Sequence, residues 1–100
     1  MKSFVLTNSA KADLRNIAFY TQQKWGREPR NIYVKQFDEA FHMLADTPFV
    51  GKACETIRAG YKKFPIGSHI IFYREGTNSS IEIVRILHKR MDVELNFQEP

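Results

Sequence analysis

Basic and imidazole side chains recur in the last third of the chain, in or just after two strongly apolar runs. An imidazole that titrates near neutrality suits a general base, and guanidinium groups beside it stabilise the charge that develops when a phosphodiester is cleaved. The same groups without catalysis form a surface for an anionic partner. The side chains concerned, all between Gly67 and Asp92, are His69, Arg74, Arg85, His88, Lys89 and Arg90.

Strand geometry separates two of these groups. Successive side chains of a strand point to opposite faces, which places His69 with Ile71 and puts Arg74 on the other side. The same alternation keeps the neighbours Ser68 and His69 apart, so no serine nucleophile paired with a base is indicated. We therefore favour hydrogen bonding or partner contact over catalysis for His69.

Positive charge is concentrated in the same part of the chain. The 100 residues carry a net charge of +4, whereas the stretch from Arg58 to Arg90 holds seven lysines or arginines against two glutamates, a local charge of +5. The stretch after Met91 holds three acidic residues and no basic one. A basic region of this kind fits nucleic acid or an acidic protein, although charge alone does not separate a binding surface from a solvated one.

Composition and length predict one globular domain over residues 1–100. A hydrophobic share of 43% is typical of folded chains, and 100 residues suffice for a single domain. Cys54 has no second cysteine to pair with, and the three histidines are spread without a third metal ligand nearby, so we expect no metal site and no cofactor. The sequence has neither an apolar run of membrane-spanning length nor a signal-peptide pattern, which predicts a cytoplasmic protein with no membrane partner.

Hydrophobic spacing predicts a strand over residues 2–7 and then a helical hairpin. The first helix is expected to begin at a cap provided by Asn8 or Ser9 and to end at Gly26. The second is expected to run from Pro29 to about Asp46, and the short connection implies an antiparallel pair. The apolar stripe of the first helix is expected to comprise Ala10, Leu14, Ile17, Tyr20 or Thr21, and Trp25.

Three strands are expected after the hairpin, over about 56–64, 68–74 and 80–88. A loop over 49–55 precedes them, and turns are expected at 65–67 and 76–79. The order predicts an α+β domain: an N-terminal strand, an antiparallel two-helix hairpin, then a three-stranded antiparallel sheet. An exposed sheet edge beside the hairpin would suit an extended acidic peptide, so a peptide-binding module is one functional hypothesis.

Residues along nearly the whole chain match the pattern of a known family, and the most specific of them is the Arg-Ile-Leu-His-x-x-Met-Asp ending at residues 85–92. The other matching marks are Leu6-Thr7, Ala10, Ala12-Asp13-Leu14, Ile17, Tyr20-Thr21, Trp25-Gly26, Tyr33, Phe37, Leu44-Ala45, Pro48, Gly51-Lys52, Ile57-Arg58, Gly60-Tyr61, Phe64, Gly67-Ser68-His69, Phe72-Tyr73 and Ile83. On these residues the chain resembles the ParE toxins of bacterial type II toxin–antitoxin systems, within the RelE/ParE superfamily.

The resemblance implies a fold that agrees with the one predicted above, and it implies a function. ParE-like proteins poison DNA gyrase by stabilising its cleaved-DNA complex, without catalysis of their own. A ParD-like antitoxin neutralises them, and DNA is reached only through gyrase or the antitoxin. The candidate contact residues for gyrase, its DNA or the antitoxin are Arg58, Lys62, Lys63, Arg85, His88, Lys89 and Arg90.

The RelE branch of the superfamily supplies the alternative, a ribosome-dependent endoribonuclease. Under this hypothesis the catalytic candidates are His69, Arg85 and Lys89. The chain departs from the RelE pattern in two ways: His69 stands where an arginine is expected, and no tyrosine follows Met91. These departures favour the gyrase function.

Overall fold

Two helices pack against a five-stranded sheet in the computed structural model, which describes residues 3–55 and 57–91. The elements are β1 (Ser3–Leu6), α1 (Asn8–Trp25), α2 (Arg27–Asp46), β2 (Lys52–Ala53), β3 (Lys62–Ile66), β4 (His69–Glu75) and β5 (Ser80–His88). The sheet has the order β1-β5-β4-β3-β2, in which β1 is parallel to β5 and the other pairs are antiparallel. The α+β class and the helical hairpin are confirmed, whereas the sheet has five strands in mixed orientation instead of three antiparallel ones.

The start of α1 is fixed by a residue that lies before the predicted cap. The hydroxyl oxygen of Thr7 accepts a hydrogen bond from the Ala10 backbone N–H at 3.0 Å and donates one to the Val84 carbonyl at 2.8 Å. Thr7 therefore caps the helix and ties it to β5, and the assignment of the cap to Asn8 or Ser9 is wrong.

A single glycine joins the two helices. Gly26, with φ of 100°, ends α1 as predicted, and α2 begins at the next residue. Pro29 lies in the first turn of α2 and not at its start, and its missing N–H costs no helical hydrogen bond there. The C-terminal end of α2 at Asp46, before Thr47 and Pro48, agrees with the prediction.

The third strand lies further along the chain than predicted. Instead of a strand over 56–64 and a turn at 65–67, β3 includes Pro65 and Ile66. Proline is tolerated because β2 pairs only with Lys62 and Lys63, so at Pro65 the strand is an edge and the absent N–H breaks no pairing. The predicted loop over 49–55 contains β2, preceded by a 3-10 turn at Pro48–Val50.

The main core lies between the helices and two interior strands of the sheet, β4 and β5. Phe37, Leu44 and Tyr73 are among its fully buried side chains. The Tyr73 hydroxyl donates to the Pro48 carbonyl at 2.7 Å and accepts from the Gly51 N–H at 2.8 Å. A Cβ at position 51 would overlap that hydroxyl, so only glycine allows the loop before β2 to close over the core.

A bulge in β5 changes which residues face the helices. Phe72 pairs with Arg85 and Tyr73 pairs with Ile83, so Val84 has no opposite residue in β4. Ile83 and Ile86, three positions apart, therefore both join the main core, which strict alternation would not allow. Arg85, the residue after Val84, pairs with Asp13 of α1.

Candidate functional site

A cleft of about 850 Å³ lies between the tip of the helical hairpin and the end of the sheet where β4 begins and β5 ends. We name it the hairpin cleft. Its volume is in the range of known ligand sites. The helices contribute Tyr20, Thr21, Lys24, Trp25, Pro29, Ile32, Tyr33 and Gln36, and the sheet end contributes Gly67, Ser68, His69, His88, Lys89 and Arg90.

Tyr33 and His69 form a hydrogen-bonded pair in this cleft. The Tyr33 hydroxyl accepts from the Ser68 N–H at 3.1 Å and lies 3.0 Å from the Ile66 carbonyl and 2.8 Å from His69 Nδ1. The hydroxyl has one proton, which it donates to the Ile66 carbonyl. The other two contacts are satisfied when the hydroxyl oxygen accepts from the Ser68 N–H and from His69 Nδ1–H. In that arrangement the Nε2 of His69 is unprotonated.

Gly67 permits this approach for two reasons. Its φ of +54° lies in the left-handed region, which side chains other than glycine rarely adopt. A Cβ at this position would also lie 2.8 Å from the Tyr33 hydroxyl. The turn between β3 and β4 is thereby fitted to the tyrosine.

The pKa of His69 is lowered from 6.5 to about 4, chiefly by burial and secondly by the neighbouring His88, while Asp13 acts in the opposite direction. The His69 ring lies 5.2 Å from the His88 ring and 6.1 Å from the Phe37 ring, measured between centroids. At neutral pH His69 is therefore uncharged, and it contributes hydrogen bonding and ring contact instead of positive charge.

This pKa makes the stability of the fold depend on pH. Because the folded-state pKa lies below the unfolded one, the unfolded chain binds the proton more readily between pH 6.5 and about 4. We expect the contribution of His69 to be complete above pH 6.5 and to be lost as the pH falls towards 4, by about 1–2 kcal/mol after allowance for solvent screening of a half-buried ring. Urea unfolding of the protein and of His69→Gln between pH 4.5 and 7.5 measures it. A difference between the two proteins that does not change with pH would contradict the prediction.

The residues after β5 are held by backbone contacts that place two cations at the mouth of the cleft. His69 pairs with His88 across the strands, and the Lys89 N–H donates to the Ser68 carbonyl at 3.0 Å. The Arg90 N–H donates to His88 Nδ1 at 3.1 Å, so in the neutral ring of His88 the proton lies on Nε2. The side chains of Lys89 and Arg90 are exposed.

The other predicted contact residues divide between two further places. Lys62 and Lys63 pair with Tyr73 and Phe72, towards the opposite end of β4 from His69. The Arg58 guanidinium lies 6.0 Å from the ring of Tyr61, a residue of the second core cluster on the sheet face away from the helices. The structure thus brings together His88, Lys89 and Arg90 but not Arg58, Lys62 or Lys63.

Arg85 lies in an ion pair with α1. Its Nε and Nη2 donate to the two carboxylate oxygens of Asp13 at 2.7 and 2.9 Å, and the Ile86 N–H donates to the same carboxylate at 2.9 Å. The hydrogen bond to Asp13 raises the pKa of Arg85. In the alternative catalytic trio, His69 is hydrogen-bonded to Tyr33, Arg85 is paired with Asp13, and the side chain of Lys89 is exposed.

Tyr20 and Trp25 line the cleft, although helical spacing places both in the apolar stripe of α1. The stripe is buried at Ala10 and Ile17, whereas Tyr20 and Trp25 are 63% and 65% exposed. The separation of Arg74 from His69 is confirmed, because Arg74 lies 5.9 Å from the ring of Tyr61 on the far face.

The part of the chain that the structure describes, residues 3–55 and 57–91, holds no group of three histidine, cysteine, aspartate or glutamate side chains placed to bind a metal ion. None of its helices is long and apolar enough to cross a membrane.

Comparison with known proteins gives one consistent family. The model of the "ParE toxin of type II toxin-antitoxin system, parDE" matches residues 4–93. Toxin ParE1 of Caulobacter vibrioides is 40% identical over 92% of this chain and 94% of its own length. Toxin ParE1 of Mycobacterium tuberculosis is 39% identical over 93% and 95%, and Toxin ParE of Escherichia coli is 30% identical over 93% and 90%.

Solved structures share the fold at lower identity. The chromosomal ParDE toxin–antitoxin system of P. aeruginosa superposes with a TM-score of 0.74 at 22% identity, covering 88% of this chain and 96% of the other. The toxin–antitoxin complex RelBE2 of Mycobacterium tuberculosis superposes with a TM-score of 0.62, also at 22% identity, covering 88% and 98%. At these identities the structures support the fold alone.

Proposed function

The chain belongs to the ParE toxin family of type II toxin–antitoxin systems, and from this premise we propose that it inhibits DNA gyrase, and so DNA replication, by stabilising the cleaved gyrase–DNA complex. The observation that carries the proposal is the family match over residues 4–93. In this proposal the protein acts by binding, in the cytoplasm, and has no catalytic residue.

The division of the cations suggests which of them meet the target. His88, Lys89 and Arg90 lie together at the hairpin cleft, where a bound macromolecule can contact all three. Arg85 is only 23% exposed in its side chain and is paired with Asp13, so we assign it to packing. We propose that His88, Lys89 and Arg90 contact gyrase or its DNA.

A ParD-like antitoxin is the proposed neutralising partner. Structures with this fold include a ParDE system and a RelBE2 toxin–antitoxin complex. The local charge of +5 between Arg58 and Arg90 suits an acidic antitoxin segment, and Arg58, Lys62 and Lys63 offer it cations away from the cleft. The antitoxin would also connect the toxin–antitoxin complex to DNA.

The RelE-type endoribonuclease function has less support. A general base should titrate near the working pH, whereas the pKa of His69 is about 4. The guanidinium of Arg85 is already matched by a carboxylate, which reduces its attraction for a transition-state phosphate.

One experiment compares the two activities. The protein is incubated with gyrase, ATP and supercoiled plasmid, and separately with translating ribosomes. We expect cleaved plasmid to accumulate after detergent treatment while the mRNA stays intact. Cut mRNA with unaffected gyrase would overturn the proposal.

Matched double variants test the assignment of the cleft. Lys89→Ala/Arg90→Ala and Lys62→Ala/Lys63→Ala remove the same charge from different places. We expect the first pair to lower the amount of cleaved plasmid about tenfold, as for loss of a charged contact worth 1–2 kcal/mol, and the second to leave it within about twofold. Equal losses in both would contradict a role specific to the cleft.

A further inference from the structure

Two large aromatic rings are exposed at the end of α1, where packing does not require them. Tyr20 and Trp25 are 63% and 65% exposed, and both line the hairpin cleft. The buried part of α1 ends at Ile17, the last buried residue of the helix. Exposed rings beside a cleft are a feature of binding surfaces.

Cations surround these rings. The Lys24 amine lies 5.9 Å from the Tyr20 ring centroid and 5.5 Å from that of Trp25. Lys89 and Arg90 line the cleft from the sheet end, and no carboxylate is among the side chains that the structure places in its lining. Within the part of the chain that the structure describes, the lining of the cleft therefore combines ring faces with positive charge.

We propose that the hairpin cleft binds a single strand of DNA, with bases stacking on Tyr20 and Trp25 and phosphates meeting Lys24, Lys89 and Arg90. Each nucleotide carries one ring system and one negative charge, which is the pairing that the cleft offers. A duplex keeps its base faces stacked and can use only the cations. The proposal rests on the proposed function for the source of the strand, which is the DNA opened at the gyrase cleavage site.

Trp25 provides a direct measurement, because it is the only tryptophan in the chain. Titration of the protein with a 12-nucleotide DNA strand should quench the tryptophan fluorescence in a saturable manner as bases stack on the ring. Binding measured in parallel by anisotropy of a labelled strand should weaken steeply with salt, since phosphate contacts release counterions. Neither measurement requires gyrase.

Three variants of α1 test the stacking surface with a matched control. Trp25→Ala and Tyr20→Ala should each weaken strand binding about tenfold, the loss expected for one stacked base. Phe19→Ala removes a ring that is 66% exposed on the same helix but does not line the cleft, and it should change binding by less than twofold. All three side chains are exposed, so thermal unfolding should be nearly unchanged. An equal loss in Phe19→Ala would overturn the proposal.

Competing ligands decide the chemistry of the occupant. Duplex DNA of the same length, the matching RNA strand and a glutamate-rich peptide are titrated under the same conditions. Tighter binding of any of these than of the DNA strand would overturn the assignment to single-stranded DNA. Absence of strand binding together with intact gyrase poisoning would reject this inference and leave the proposed function standing. Strand binding with unaffected gyrase would reject the gyrase cleavage site as the source.

Discussion

Asp13→Ala is expected to lower the free energy of unfolding by about 3 kcal/mol, because it removes a carboxylate that accepts hydrogen bonds from two groups. The carboxylate accepts two hydrogen bonds from Arg85 and one from the Ile86 N–H, and its side chain is only 13% exposed. Removal takes this partner from a partly buried guanidinium and from the backbone N–H of Ile86 in β5. Urea unfolding at pH 7 measures the loss.

A second ion pair, which joins β4 to β5, provides the control. Arg74 and Glu82 are also 2.7 Å apart, but their side chains are 50% and 29% exposed. Glu82→Ala should cost less than about 1 kcal/mol, as for exposed pairs in general. Asp13→Asn keeps an acceptor for Ile86 and should fall between the two. Equal losses for Asp13→Ala and Glu82→Ala would show that the buried pair has no special structural role.

Phe37→Ala is expected to have a comparable effect, about 3–5 kcal/mol, since it opens a cavity in the main core. The ring is 0% exposed and lies 4.9 Å from Tyr33 and 6.1 Å from His69, measured between centroids. Loss of the ring also admits solvent beside His69, so the pKa of that histidine should rise from about 4 towards its usual value. Chemical denaturation and NMR titration of the histidine signals measure the two effects.

Phe49→Ala is the matched control for this change. Phe49 is 78% exposed, so its removal should change the free energy of unfolding by less than about 0.5 kcal/mol. It should also leave the pKa of His69 unchanged. A Phe37→Ala protein that is destabilised while His69 still titrates near pH 4 would show that the low pKa does not depend on this part of the core.

Local sequence signals predicted the helices and central strands well, because each has signals within its own residues. Gly26 fixed the hairpin, and the paired apolar runs fixed β4 and β5, whose observed bounds differ from the predicted ones by one residue at most. Pro65 misled the assignment of β3, since its tolerance in a strand depends on how far β2 extends. That length is a property of the tertiary structure and not of local sequence.

The candidate site was predicted only in part for the same reason. His88, Lys89 and Arg90 were found by their charge next to a strand, which is visible locally. The partnership of Arg85 with Asp13 spans 72 positions, and no local sequence signal marks a contact over that separation. Tyr20 and Trp25 follow helical spacing like core residues, and only the extent of the sheet beneath α1 decides that they are exposed.

The pairing of β1 with β5 has a consequence for synthesis. Ser3–Leu6 align with residues 80–83, and Thr7 donates to Val84 across 77 positions. This ordering requires closure of a long chain segment, and such non-local contacts form late in folding. During translation β1 therefore cannot pair in the sheet until β5 has emerged from the ribosome. A nascent copy cannot complete its sheet, so complete folding, and any activity that depends on it, begins only after synthesis of β5.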